Sequence, residues 1–184
     1  IGWCDWSSDV CSSDLIYDCD STQIIGNIIG LDTGGTIALG NQFAGIRLHG
    51  QSSYTIIGGS AEGERNIVSA NKYGILISSE DCHHNRILGN WIGTDQAGTG
   101  AIANDTGIEL SGTLTIVGEE TAGGGNVISG NLWNGIQLLY DETKENLIAG
   151  NCIGVAADGT TPLPNGQHGI EVNTGAQKNT IGPG

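Results

Sequence analysis

The chain has 184 residues and a formal net charge of −14, with only six Lys and Arg residues. So acidic a chain repels nucleic acids and anionic membranes, and neither is an expected partner. No apolar run is long enough to span a membrane. The 32 glycines, single phenylalanine and absence of methionine favour many short strands around an aliphatic core. The Lys-poor, acidic composition is typical of a secreted or cell-surface protein.

The first fifteen residues stand apart from the remainder of the chain. Residues 3–15 read WCDWSSDVCSSDL, contain no glycine and resemble the translation of a sequencing-adapter oligonucleotide. A segment of this origin does not belong to the natural protein. We therefore predict that residues 1–15 are a disordered tail foreign to the natural protein, and that residues 16–184 form one repeat domain. This domain is expected to be a fragment truncated at both ends.

A short motif recurs along the domain. N-x-I-S-G-N occupies residues 126–131, and close copies begin at Asn66, Asn85 and Asn146. A Gly-Ile pair recurs as well, with its isoleucine at Ile46, Ile75, Ile108, Ile136 and Ile170. The spacing between successive isoleucines alternates between shorter and longer, so that any two consecutive spacings sum to about 62 residues. A fixed period of this kind indicates a stacked array of small units.

The repeats predict an all-β, parallel β-helix (solenoid). Gly and Asn can adopt positive φ at a corner, so they bound the very short strands. Coils stack about 4.8 Å apart, so an Ile column fills the interior and Asn side chains can hydrogen-bond in a ladder. The superperiod of about 62 residues contains two coils of about 31 residues or three of about 21. We favour three, because similar motifs then stack directly.

Three motifs connect the sequence to a known class: N-x-I-S-G-N, G-N-x-I-G-T-D-x-x-G-T and N-T-I-G. They resemble the repeats of right-handed parallel β-helix proteins in the broad pectin-lyase-like group, over residues 22–184. The resemblance implies a right-handed coil and a bacterial secreted or cell-surface setting. It implies no single activity, because the group includes lyases, hydrolases, epimerases, adhesins and repeat arrays.

Titratable residues form two candidate sites, one in a single turn and one along a column of stacked strands. Asp81, His83 and His84 lie in one turn, where a carboxylate beside imidazoles can serve acid–base chemistry or bind a transition metal. Glu109 and Glu171 share one outward column on the Gly-Ile strands. With three coils between them they would stand about 14 Å apart, beyond the roughly 5–9.5 Å of a catalytic carboxylate pair. A solvated turn and a solvated face are the alternative interpretations.

Other residues are candidates for binding. Asp32 and Asp95 align in an Ile-Gly-x-Asp turn, where a carboxylate and backbone carbonyls can bind calcium. A side chain that caps its own turn is the simpler interpretation. Trp91, Trp133 and Tyr140 can stack on sugar rings, or they protrude from turns without a ligand. No motif requires a cofactor, and calcium is a possible ion at the aspartate turns.

The regularity of the repeats favours a non-enzymatic protein, since active sites usually interrupt a repeat. We expect a segment of a secreted or cell-surface protein that acts as a rigid scaffold or an adhesive, glycan-binding surface. Its structural partners are then the neighbouring repeats of the same chain. The alternative is a carbohydrate-active enzyme: a polysaccharide lyase, an epimerase or a glycoside hydrolase. Carboxylates and bases clustered on one face would favour the enzyme.

Overall fold

A computed structural model describes residues 13–61 and 63–182. Over this part of the chain all regular structure is β, with seventeen strands and no helix, and hence no helix suited to cross a membrane. The strands are β1 (Ser13–Tyr17), β2 (Gln23–Ile24), β3 (Ile28–Ile29), β4 (Ala44–His49), β5 (Ile56–Gly58), β6 (Ile67–Val68), β7 (Tyr73–Ile77), β8 (Arg86–Leu88), β9 (Trp91–Ile92), β10 (Thr106–Leu110), β11 (Ile116–Val117), β12 (Val127–Ile128), β13 (Ile136–Leu138), β14 (Leu147–Ile148), β15 (Cys152–Ile153), β16 (Ile170–Val172) and β17 (Thr180–Ile181). Most of the predicted tail lies outside the described residues, and residues 13–15 belong to β1.

The strands form three parallel sheets that wind as a solenoid of about five turns. Sheet 1 has the order β1-β4-β7-β10-β13-β16, and sheet 2 has the order β2-β5-β8-β11-β14-β17. Sheet 3 has the order β3-β6-β9-β12-β15. Each coil thus contributes one strand to each sheet, which confirms the prediction of an all-β parallel solenoid.

Each coil from β4 onward contains one Gly-Ile pair, and the coils are about 32 residues long. Sheet 1 pairs the isoleucines of successive pairs in register: Ile46, Ile75, Ile108, Ile136 and Ile170. Two coils therefore make one superperiod, and the preference for three was wrong. The physical reason is that one motif serves two sheets, because Asn66 precedes β6 of sheet 3 and Asn85 precedes β8 of sheet 2. The similar motifs lie on different sides of the solenoid, not above one another.

Aliphatic columns fill the interior. The isoleucines at 46, 75, 108 and 136 are fully buried, and so is the parallel column two residues further on. That second column consists of Leu48, Ile77, Leu110 and Leu138. Burial of each such side chain stabilises the fold by about 1.5–3 kcal/mol, so the core derives its strength from stacking rather than from any single large residue.

Two asparagine ladders follow the corners on either side of sheet 3. In each ladder the backbone N–H of one Asn donates to the Oδ1 of the Asn one coil later, and in every step but that from Asn41 the Nδ2 donates to the same atom. Asn90, for example, donates to Asn126 at 2.9 and 3.1 Å. The first ladder is Asn27, Asn66, Asn90, Asn126 and Asn151, and the second is Asn41, Asn71, Asn104, Asn131 and Asn165. The polar groups of the asparagines at these corners thus have hydrogen-bond partners, as is usual for buried polar groups.

Long loops alternate from coil to coil around sheet 3. The connections that follow β3, β9 and β15 are long, and each contains an antiparallel bridge: Leu31 with Ala38, Thr94 with Ala101, and Val155 with Pro162. The connections after β6 and β12 are shorter. On the other side of sheet 3 the alternation is reversed, with long connections from β5 to β6 and from β11 to β12. Sheet 3 is therefore flanked by projecting loops on both sides.

Candidate functional site

A groove lies over the outer face of sheet 3. Its floor belongs to the outward column of that sheet, in which Ile67, Trp91, Val127 and Cys152 are neighbours in register. Ile67 and Val127 are only 8% and 6% exposed although they face away from the core, and Trp91 is the neighbour of both in register. Trp91, Val127 and Cys152 line a volume of about 480 Å³. This volume is open to solvent rather than enclosed.

Charged side chains form the rim of the groove. The guanidinium of Arg65 lies 4.2 Å from the centroid of the Trp91 ring, a cation–π contact. Arg65 Nε also donates to the carbonyl of Gly89 at 3.2 Å, which fixes the side chain. Glu119 and Glu120 stand on the loop that follows β11 and complete the rim. The groove combines an apolar floor with donors and acceptors at its edge.

Carboxylates follow the outward column of sheet 1. The residues in register along this column are Arg47, Leu76, Glu109, Gln137 and Glu171. Neighbours in the column are one coil apart, so the Cα atoms of Glu109 and Glu171 are about 9.6 Å apart at 4.8 Å per coil. The predicted distance of about 14 Å was wrong because it assumed three coils between the two glutamates.

Glu109 is largely enclosed by its neighbours on this face. Burial raises the pKa of its carboxyl, and the ammonium of Lys72 opposes the effect in part. Tyr73, on the preceding strand of sheet 1, also has a raised pKa, because of burial first and of the charge of Glu109 second. A carboxyl with a raised pKa keeps its proton closer to neutral pH, and that property suits a general acid.

Glu171 has a different environment, rich in amide donors. Its Oε2 accepts hydrogen bonds from Gln137 Nε2 at 2.7 Å and from Asn134 Nδ2 at 2.8 Å, and its Oε1 accepts one from Asn173 Nδ2 at 3.2 Å. Gln137 and Asn134 belong to the coil between the two glutamates, so their bonds draw the Glu171 carboxylate toward Glu109.

The predicted turn cluster is assembled only in part. The Nδ1 atoms of His83 and His84 lie 2.9 Å apart. Asp81 is exposed, and no described hydrogen bond joins its carboxylate to either ring. Over residues 13–61 and 63–182, no group of three or more His, Cys, Asp and Glu side chains is arranged to hold a metal ion. The two histidines are therefore the part of the predicted cluster that the fold brings together.

The aspartates of the long loops cap their own turns. Asp32 Oδ1 accepts from the backbone N–H groups of Thr36 and Ile37, both at 2.8 Å, and these bonds lower the pKa of its carboxyl. Asp95 and Asp158 accept similar bonds in the equivalent loops. These aspartates therefore cap their own turns through backbone hydrogen bonds. Calcium binding at Asp32 and Asp95 stays a prediction.

The three predicted aromatic residues do not form one surface. Trp91 lies in the groove, whereas Trp133 and Tyr140 are 47% and 53% exposed on other turns and do not line it. The sequence reasoning missed Arg65 and Glu120 as groove residues. The signal that could have found them is the length of their loops, since the connections before β6 and β12 exceed those before β9 and β15.

Comparisons with protein-family models, with curated proteins and with solved structures each found no match.

Proposed function

We propose that this chain is a rigid β-solenoid scaffold that binds neutral glycans in the groove over sheet 3. We place it in a secreted or cell-surface bacterial protein of the pectin-lyase-like group. The observation that carries the glycan proposal is the apolar floor of Trp91, Val127 and Cys152 beneath a charged rim. A sugar ring has the matching chemistry, because its faces carry C–H groups and its edge carries hydroxyls. Pockets with an apolar lining and a few placed polar groups are typical ligand sites.

The charges of the rim favour neutral over acidic glycans. Glu119 forms an ion pair with Arg86, whereas Glu120 is exposed and available to accept hydrogen bonds from hydroxyl groups. Arg65, held over Trp91, contributes N–H donors. The net charge of −14 repels polyanions such as polyuronates at long range.

The groove is preorganised by the solenoid. Its floor lies on strands β9, β12 and β15, which are paired with one another. One flanking wall consists of long loops that bond to each other, as Ala157 N–H does to the Gly98 carbonyl at 2.9 Å. A ligand site that is already ordered loses less entropy when the ligand binds.

Calorimetric titration with neutral and acidic oligosaccharides tests the proposal. We expect neutral oligosaccharides to bind, and Trp91→Ala to weaken binding at least ~10-fold, because an aromatic contact is worth about 0.5–1.5 kcal/mol beyond its buried area. Trp133→Ala is the matched control, since Trp133 lies outside the groove. This variant should bind the oligosaccharide with the affinity of the parent. Glu120→Ala, an exposed rim change, should also weaken binding without disturbing the fold. The proposal fails if the folded parent binds no oligosaccharide, or if both tryptophan variants lose affinity equally.

A second candidate function is glycoside hydrolysis with inversion, and the two-coil spacing of Glu109 and Glu171 favours it. The carboxyl groups of an inverting pair stand about 6.5–9.5 Å apart, which leaves room for a water molecule. The Cα spacing of about 9.6 Å is close to this range, and the bonds from Gln137 and Asn134 draw Glu171 toward its partner. Glu109 would then protonate the leaving oxygen while Glu171 accepts a proton from the attacking water.

The hydrolase candidate has its own assay. Incubation with neutral polysaccharides should release new reducing ends, and proton NMR should show the inverted anomer as the first product. Glu109→Gln and Glu171→Gln should each abolish release, whereas Glu145→Gln, on an exposed turn, should not. The hydrolase candidate fails if both column variants still release product. It also fails if the folded parent binds the glycan but releases no product, and the scaffold function then remains as the proposal.

A further inference from the structure

Two imidazole rings face each other at the corner between sheet 1 and sheet 2. The Nδ1 atoms of His83 and His84 are 2.9 Å apart, and the ring planes are nearly perpendicular at 87°. In extended chain, successive side chains point to opposite sides. His84 instead has a φ of 57°, and this left-handed backbone turns its ring toward that of His83.

The fold imposes this backbone at every coil. The equivalent residues of the other coils are also left-handed: Ser21, Tyr54, Leu114, Glu145 and Lys178. The corner geometry therefore does not depend on the imidazoles. Among these coils, the one that contains residues 83–84 carries histidine at both of the adjacent positions. The solenoid thus supplies a left-handed corner in every coil, and this coil places two adjacent imidazoles there.

A tyrosine from the preceding coil supports the pair. The Tyr54 ring is stacked on His84 at 5.1 Å and 18°, and it meets His83 edge-on at 5.8 Å and 89°. Tyr54 is 54% exposed and His84 is exposed as well, so the cluster is open to solvent. The two rings are therefore held in place and remain accessible to an ion.

The nitrogen spacing matches a particular coordination geometry. Imidazole nitrogens bind first-row metal ions at about 2.0–2.1 Å, so two ligands at a right angle are about 2.9 Å apart, and two at a tetrahedral angle about 3.4 Å. The spacing of 2.9 Å thus corresponds to adjacent ligands of a square-planar or tetragonal ion. Copper(II) prefers this geometry and binds nitrogen ligands most tightly among the divalent first-row ions.

We propose that His83 and His84 form a surface copper(II) site, with the two Nδ1 atoms as adjacent ligands. The hydrogen bond between the rings in the metal-free state needs a proton on one Nδ1. Copper binding moves that proton to Nε2 of the same ring, and no net proton is released at a pH where both rings are neutral. Within the described residues no third His, Cys, Asp or Glu completes the set. Water fills the remaining positions, and the bound ion stays open to exogenous ligands.

Copper titration of the full chain tests the site. Thiols are alkylated first, because Cys19 is exposed and would compete for copper. We expect one copper(II) ion per chain with an axial electron paramagnetic resonance spectrum that shows nitrogen coupling, and weaker binding of zinc(II). His83→Ala and His84→Asn should each weaken copper binding by about 10-fold or more. Asparagine is chosen at position 84 because it tolerates a left-handed backbone.

Two other histidines provide the controls. His49→Ala and His168→Ala remove imidazoles that lie elsewhere and bond to Ser78 and Asn134, respectively. Both variants should bind copper as the parent does. The proposal is overturned if the parent binds no copper, if the pair variants retain the parent affinity, or if the control variants lose as much. Glycan binding in the groove is measured separately and should be unchanged in the pair variants.

Discussion

Removal of one asparagine from the middle of a ladder should destabilise the solenoid strongly. Asn126 is fully buried, and its Oδ1 accepts from Asn90 N–H at 2.9 Å and from Asn90 Nδ2 at 3.1 Å. Its own Nδ2 donates to the Ile87 carbonyl and to Asn151 Oδ1, both at 2.8 Å. Asn126→Ala leaves the backbone N–H of Asn90 and one Nδ2 hydrogen of Asn90 without acceptors, while that Nδ2 keeps its bond to the Ile57 carbonyl at 2.9 Å. At about 1–3 kcal/mol for each unpaired buried group, the expected loss is about 2–6 kcal/mol.

The end of the same ladder supplies a matched control. Asn27 is half-buried and donates from its backbone N–H and its Nδ2 to Asn66 Oδ1, both at 3.0 Å. No preceding ladder residue among those described donates to the Asn27 Oδ1. Asn27→Ala therefore removes a donor but leaves no buried donor unpaired, since Asn66 Oδ1 keeps the bond from the backbone. We expect a loss of about 1 kcal/mol or less.

Chemical denaturation followed by far-ultraviolet circular dichroism measures the two effects in one experiment. The polarity of the ladder predicts that the same substitution costs several-fold more at Asn126 than at Asn27. Equal shifts of the denaturation midpoint in the two variants would refute the reasoning, because the cost would then depend on asparagine content and not on the direction of the bonds. A change in the slope of the transition would indicate loss of one cooperative unit and would require separate analysis of each phase.

Three further outcomes are expected. Burial raises the pKa of Glu109, so the ionised carboxyl destabilises the folded state. Glu109→Gln should therefore raise the melting temperature at pH 7. The gain should disappear below about pH 4.3, the ordinary pKa of Glu, because the carboxyl is then protonated in both the folded and the unfolded chain. Cys82 is fully buried and its pKa is raised to about 11, so thiol labelling at pH 8 mapped by mass spectrometry should modify the exposed Cys19 and spare Cys82 until the chain unfolds. Gly58→Ala should lower the denaturation midpoint far more than Gly159→Ala: both glycines have positive φ, at 80° and 71°, but a Cβ at Gly58 would lie 2.1 Å from a backbone carbonyl oxygen, whereas nothing lies within 4 Å at Gly159.

The sequence was sufficient for the fold because the decisive interactions repeat. A buried Ile such as Ile75 and a ladder residue such as Asn90 recur at fixed spacing, and stacked coils bring both into columns. Coil length was harder to predict. Asn66 and Asn85 occur in almost the same local sequence, yet they start strands of sheets 3 and 2. Local sequence determines the bend at a corner, but which coils become neighbours depends on how the whole turn closes.

The candidate sites were predictable only where one turn contains the residues. His83 and His84 are adjacent in sequence, and their proximity required only the corner geometry. The relation of Glu109 to Glu171 depended on the number of coils between them, so the wrong coil count gave the wrong distance. The groove combines residues from different coils, such as Arg65 and Trp91, with loops that lack any repeated motif. No pattern in the sequence predicts how far such loops extend over a sheet.

The two-coil superperiod has a physical cause in the long loops. A hairpin has two arms, and paired strands lie about 4.8 Å apart, so a hairpin stacked on the solenoid occupies the height of two coils. In the first such loop the Leu39 N–H donates to the Gly30 carbonyl at 2.8 Å, which pairs the arms. Successive loops then contact each other directly across two coils, as the Gln96 N–H does with the Gly35 carbonyl at 2.9 Å.

The intervening coil must therefore turn sharply at the same corner. It does so and pairs with the loop of the next coil: the Ala70 N–H donates to the Ile102 carbonyl at 3.3 Å, and the Gly130 N–H to the Leu163 carbonyl at 3.1 Å. Two successive coils cannot both carry a long hairpin at this corner, because their hairpins would overlap along the solenoid axis. The smallest unit that can build a complete wall beside sheet 3 is thus two coils. Any groove on this face can recur at most once per superperiod of about 62 residues.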